Sequence, residues 1–161
     1  MQTSFTENQL KDKDNKTSET IIRKCVHCGM CNATCPTYGI NGEELEGPRG
    51  RIYLIKDMLE NKKPATKQIA KHIDSCLSCY SCMTTCPSGV NYMHLIDHGR
   101  NYVEETYKRP FFDRLFRNIL SFVLPRPKVF LLMALSSKLI KPFSFLSVSY
   151  THLTLPTIAE V

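Results

Sequence analysis

The chain has 161 residues, of which 42% are hydrophobic, an ordinary fraction for one small folded domain with extensions. Eight cysteines are far more than a chain in a reducing compartment carries by accident, and they point to metal, clusters or disulfides. The formal charge is +6, but no RNP, zinc-finger or helix-turn-helix pattern accompanies it, so nucleic acid is not an expected partner.

Residues 1–20 read as a disordered polar tail: Lys11-Asp12-Lys13-Asp14-Asn15-Lys16 has no apolar period. Met1 to Thr20 also lacks the apolar stretch of a signal peptide. This argues against a disulfide-stapled secreted domain and makes the cytoplasm the expected compartment. A short helix is expected from about Glu19 to the first cysteine, followed by a loop-rich ligand segment, Cys25 to Pro36. Thr37 to Pro48 reads as a connection containing Gly39, Gly42 and Gly47. From Arg49 to about Asn61, Ile52, Ile55 and Leu59 share one helical face, and Pro48 suits the first turn. Lys62-Lys63-Pro64 breaks that helix, and Thr66 is placed to cap another running to about Asp74.

Cys76 to Pro87 repeats the ligand segment. A helix is predicted from Asn91 to about Tyr107, with Leu95, Ile96, Tyr102 and Val103 as candidate buried positions, ended by Arg109-Pro110. Phe111 to Leu124 is amphipathic, with Leu115, Phe116, Ile119, Leu120 and Val123 on one face. Another helix is expected from Pro127 to about Ile140. Pro125-Arg126-Pro127-Lys128 interrupts the apolar run Ile119 to Leu135, which therefore reads as two short helices rather than a membrane span. No segment sustains strand alternation. The fold class reads as mostly α, with two cysteine-rich loops.

The chemistry lies in the repeat. Cys25-Val26-His27-Cys28-Gly29-Met30-Cys31-Asn32-Ala33-Thr34-Cys35-Pro36 and Cys76-Leu77-Ser78-Cys79-Tyr80-Ser81-Cys82-Met83-Thr84-Thr85-Cys86-Pro87 both follow C-x2-C-x2-C-x3-C-P. This is the run of two-cluster ferredoxins. Three thiolates at three-residue spacing wrap one iron–sulfur cube, and the proline turns the chain out of the loop. In this motif class the fourth cysteine ligates the other cluster. The implied sets are Cys25, Cys28, Cys31 and Cys86 on one [4Fe–4S] cluster, and Cys76, Cys79, Cys82 and Cys35 on a second. Structural zinc sites use paired C-x2–4-C ligands with a gap before the second pair, and a third cysteine at the same short spacing argues against them. Two clusters would each add roughly −2 and leave the loaded protein only mildly basic.

Other polar residues have plainer readings. His27 lies in the first loop, where four cysteines already suffice, and is read as solvent-facing or supporting. His94 and His98 sit at metal-compatible spacing but lack an adjacent acid motif, so surface or packing roles are favoured. Arg49 and Arg51, flanking Gly50, either compensate cluster charge or contact a partner, or else begin a solvated helix. No nucleophile–base set, phosphate loop or dinucleotide fingerprint appears, so no substrate or FAD site is expected on this chain.

The flanks go further than the ligand pattern. Cys35-Pro36-Thr37-Tyr38, Gly42 to Lys56 (Gly-Glu-Glu-Leu-Glu-Gly-Pro-Arg-Gly-Arg-Ile-Tyr-Leu-Ile-Lys), Cys82 to Val90, Tyr107-Lys108-Arg109-Pro110 and Val123-Leu124-Pro125-Arg126-Pro127 resemble the iron–sulfur subunit of bacterial glycolate oxidase (glycolate dehydrogenase) over about residues 21–143. The resemblance implies an α-helical ferredoxin domain at 21–108. It further implies FAD-containing dehydrogenase partner subunits that oxidise glycolate, and electron transfer toward a membrane acceptor of quinone type. Subunits of other 2-hydroxy-acid and glycerol-3-phosphate dehydrogenases and of heterodisulfide reductases share the module and stand as alternatives; a zinc interaction module is the remote one.

The family continues into cysteine-rich CCG repeats that this sequence lacks. Residues 109–147 therefore read as the start of a truncated helical C-terminal region. The stretch 148–161, including Val148-Ser149-Tyr150-Thr151-His152-Leu153-Thr154-Leu155-Pro156-Thr157, looks like a translated sequencing adapter. Lys108, Arg109, Arg114, Arg117, Arg126 and Lys128 interleave with Phe111, Phe112, Phe116, Phe122 and Phe130. Such a face suits peripheral association with the inner face of the cytoplasmic membrane, or packing against the rest of the polypeptide; packing is favoured.

Overall fold

A computed structural model describes residues 1–136. The chain divides into two compact units, Met1–Lys108 and Arg109–Val161. The expected helix end at Ile140 and the adapter-like stretch 148–161, with His152, lie outside the described residues. Among the described residues there is no β-strand.

In the first unit, helices α1 (Lys13–Lys24), α3 (Pro48–Asn61), α4 (Lys67–Asp74) and α6 (Tyr92–Thr106) surround one core. The short helices α2 (Pro36–Asn41) and α5 (Ser81–Thr84), with 3-10 turns at Met30–Asn32 and Glu44–Glu46, lie in and beside the cysteine segments. The predicted face of α3 is the observed one: Ile52, Ile55 and Leu59 are buried, together with Met58. They meet Ile22 of α1, Ile73 of α4, and Leu95, Ile96 and Val103 of α6, all fully buried. Each such side chain contributes roughly 1.5–3 kcal/mol. Tyr102 is only partly buried, because its hydroxyl reaches out to donate to the Lys63 carbonyl at 3.1 Å. At Gly99 α6 comes so close to α3 that an added Cβ would stand 2.9 Å from Ile55 Cγ1.

Caps set the boundaries. The Thr66 hydroxyl accepts from the Ile69 amide, as its position before α4 predicts. Asn91 does the same for α6 through the His94 amide.

The expected disordered tail at 1–20 is not what forms. Asp12 caps α1 by accepting from the Asn15 amide, so the helix starts six residues before Glu19. Gln9 is buried, and its amide donates to the carbonyls of Leu59 (2.8 Å) and Glu60 (2.9 Å). These carbonyls belong to the last turn of α3, whose acceptors have no partner within the helix. Polar caps of this kind leave no hydrophobic period, which is why a periodicity reading passes over the segment. The Thr37–Pro48 connection likewise holds α2 and a 3-10 turn.

The second unit contains α7 (Phe111–Val123) and α8 (Pro127–Ser136). The axes of α7 and α8 bend by 113° at the Pro125 break. No single helix among the described residues is long and apolar enough to cross a membrane. Of the predicted α7 face only Val123 is buried; Leu115, Phe116, Ile119 and Leu120 are exposed.

Candidate iron–sulfur site

The two cysteine segments share a backbone pattern. Counting from the first cysteine of each, the second and fourth following residues take the left-handed conformation: His27 (φ 60°) and Gly29 (φ 83°) in one, Ser78 (φ 51°) and Tyr80 (φ 56°) in the other. Three of these four carry a side chain, at a cost of order 1–3 kcal/mol each. Alternation of this kind curls each C-x2-C-x2-C loop before it enters a short helical turn at Met30–Asn32 or Ser81–Thr84. The loops are locked from outside. Arg100 donates from Nη1 to Ser78 Oγ and from Nη2 to the Cys76 carbonyl, both at 2.6 Å. Asn32, buried behind the first loop, donates to Glu44 and accepts from the Arg49 amide at 3.4 Å. The Thr85 hydroxyl donates to Thr34 at 3.3 Å, so the two motifs face each other.

Two adjoining cavities result. The first encloses about 430 Å3, open solvent at its mouth included, and Cys25, Cys28, Cys31, Cys82 and Cys86 line it. The second encloses about 300 Å3 on the same measure and is lined by Cys35, Cys76, Cys79 and Cys82. Each cavity therefore draws cysteines from both halves of the repeat. The fourth cysteine of each motif lines the cavity opposite its own first cysteines, and Cys82 lines both. Pro48 and Tyr92 also reach both, so the cavities share a wall.

The electrostatics of the thiols test what these cavities can hold. Burial pushes the Cys82 thiol up to about 12, and the neighbouring thiolates of Cys31, Cys76, Cys35 and Cys79 add to the rise. Burial, then Cys25, Cys86 and Cys28 among its causes, raises Cys31 as well. Sulfur donors so crowded ionise only beside a strongly positive group, as iron is. The buried Nδ1 of His27, on the wall of the first cavity, has no hydrogen-bond partner among the described residues. The Tyr92 hydroxyl donates to Cys76 Sγ at 3.6 Å, and burial holds its own pKa well above the usual tyrosine value. A soft, all-thiolate donor set in two adjoining cavities fits iron–sulfur ligation.

Residues 21–90 match the family of 4Fe–4S dicluster domains. They form a 4Fe–4S domain of ferredoxin type. The chain is 48% identical over 143 residues to the glycolate oxidase iron–sulfur subunit of Escherichia coli strain K12, covering 89% of this chain and 35% of that protein. A probable glycolate oxidase iron–sulfur subunit of Bacillus subtilis strain 168 is 32% identical over 117 residues, 70% of this chain and 26% of that protein. A mitochondrial succinate dehydrogenase iron–sulfur subunit of Candida glabrata is 28% identical over 88 residues, 51% of this chain and 35% of that protein. The chain thus spans about a third or less of the length of each of these relatives. No solved structure matches it. The domain has an iron–sulfur electron-transfer role, and the resemblance read from the flanking residues is to the E. coli and B. subtilis subunits.

Some of the site escapes a motif reading. Arg51 does not begin a solvated helix: its side chain is 1% exposed. Its Nη2 donates to Glu46 Oε2 (2.9 Å), Ser75 Oγ (3.0 Å) and Thr37 Oγ1 (3.1 Å), and its Nε to the His72 carbonyl (2.7 Å). Glu46 and His72 are equally buried, with His72 Nδ1 2.8 Å from Glu46 Oε1. Neither carries a sequence signal of its own; the only hint is an acid five residues before Arg51. Arg49 is a third exposed, pairs with Glu44 at 2.5 Å and lines the first cavity. His98 packs as expected, its Nδ1 2.7 Å from the buried Ser18 hydroxyl.

Proposed function

We propose that the chain carries two [4Fe–4S] clusters, one held by Cys25, Cys28, Cys31 and Cys86 and the other by Cys76, Cys79, Cys82 and Cys35, and that it is the electron relay of a flavin-dependent glycolate-oxidising complex. The observation that carries this reading is the crossed lining of the two cavities by cysteines of both motifs. When bound, such clusters supply one-electron carriers, so the two electrons of a reduced flavin leave singly. The protein's part is to hold the thiols, to keep water from the buried sulfurs of Cys25 and Cys82, and to offer polar hydrogens to those of Cys35 and Cys76. The wall shared by the cavities brings the two ligand sets together, which suits stepwise transfer.

The names of the E. coli and B. subtilis relatives support glycolate as the substrate of the partner subunits. Electrons are taken to enter from FAD-containing subunits and to leave toward a quinone-type acceptor, with the chain cytoplasmic and peripheral at the inner membrane face. Co-expression with flavoprotein partners tests this. Glycolate should bleach the cluster absorbance of the co-purified complex, and lactate or glycerol 3-phosphate should not. Bleaching by one of those two instead would move the chain to another dehydrogenase.

A further inference from the structure

Pro48-Arg49-Gly50-Arg51 opens α3 against the Glu44–Glu46 turn. Residues two apart on a helix point about 200° apart around its axis. The turn therefore hands one guanidinium to each cavity: Arg49 lines the first and Arg51 the second. The two are not equivalent. Arg49 is a third exposed, so solvent screens its charge; Arg51 is 1% exposed. Arg51 Nη1 lies 3.9 Å from Cys35 Sγ, while its Nη2 is the nitrogen that meets Glu46. The buried pair is thus oriented with its positive end toward the sulfur. Thr37 extends the contact: its hydroxyl accepts from Arg51 Nη2, stands 3.2 Å from Cys35 Sγ, and donates to the Glu46 carbonyl at 2.7 Å.

Building on the two-centre reading above, we propose that Arg51, oriented by Glu46, His72 and Ser75, is a positioning residue that separates the two centres in potential and makes the one ligated by Cys35 the easier to reduce. Reduction adds negative charge to a centre, and a fixed buried cation beside one of its sulfurs stabilises the reduced form. Screened Arg49 gives the other centre less.

The test is an EPR-monitored redox titration of the anaerobically purified holoprotein. The signal of the Cys35 centre is the one that Cys35→Ser reshapes. Arg51→Gln should make that centre at least tenfold harder to reduce, about 59 mV for a one-electron couple. Glu46→Gln, which keeps the size of the side chain while leaving Arg51 uncompensated, should shift it in the opposite direction. Arg51→Lys should stay within about threefold of the wild type, and the other centre should move by no more than that in any variant. Shifts of the same sign in Arg51→Gln and Glu46→Gln, equal shifts in both centres, or loss of iron from all three variants would show the network to be scaffold only and overturn the proposal. A wild-type protein with a single centre overturns the two-centre reading itself, and this inference with it.

Discussion

Gly50→Ala probes the junction on which both arginines depend. In an exposed helix the change stabilises by about 0.5–1 kcal/mol, because alanine loses less conformational freedom. At Gly50 the new Cβ would stand 2.2 Å from the Glu44 carbonyl oxygen and 2.8 Å from Leu45 Cα. Ordinary contact begins near 3.4 Å, so the start of α3 and the Glu44–Glu46 turn must part by about 1 Å. Both obstacles are backbone, which cannot rotate away. Overpacking of this kind costs about 1–3 kcal/mol or more, so it outweighs the helix gain and the sign is destabilising. The displaced turn carries Glu44 and Glu46, the partners of Arg49 and Arg51, so both cavities should feel the change. Gly39→Ala is the control: Gly39 lies in α2 with nothing within 4 Å of the added Cβ. Thermal loss of cluster absorbance should come earlier in Gly50→Ala and at the wild-type temperature or later in Gly39→Ala. Equal melting of Gly50→Ala and wild type, with equal iron content, would refute the close approach.

Ile55→Ala removes a fully buried side chain from the α3–α6 contact and should cost about 2–5 kcal/mol in denaturant unfolding followed by circular dichroism. Thr66→Ala removes the α4 cap and should cost about 0.5–2 kcal/mol, with Thr66→Gly less harmful. The Arg49 guanidinium, by its hydrogen bond, holds the Glu44 carboxyl below the usual carboxylate range. A lowered folded-state pKa means this contribution is complete above the unfolded value, near 4.3, and fades as pH falls through the folded one. Glu44→Gln should therefore flatten part of the acid limb of stability and leave its pH 7 to 8 slope unchanged. The exposed α7 and α8 side chains, Phe112, Phe116 and Phe130 among them, should bind ANS, and Phe116→Glu should weaken that fluorescence. A soluble monomer that binds none would contradict the reading of this face.

The helices of the first unit were legible wherever burial imposes a period or a cap imposes a start. Ile52, Ile55 and Leu59 mark α3, Thr66 marks α4, and the cysteine spacing marks both loops. What was not legible rests on long-range polar contacts. Gln9 orders the N-terminal segment through carbonyls some fifty residues away, and no local pattern records that pairing. Arg51, Glu46 and His72 look like surface residues in sequence because a buried ion pair has the composition of an exposed one. The left-handed turns at His27, Ser78 and Tyr80 were also invisible, since only Gly29 of the four advertises a positive φ. The α7 pattern marks a one-sided helix, yet periodicity alone does not name what covers it.

Paired cysteine replacements, scored by iron per chain after anaerobic reconstitution, bear most directly on the shared ligation. The wild type should hold about eight iron atoms. Cys25→Ser with Cys86→Ser strikes one ligand set twice and should leave about four. Cys25→Ser with Cys35→Ser strikes each set once and should disturb both centres. The opposite pattern, with the second pair sparing a whole centre and the first damaging both, would mean that each motif closes its own cluster.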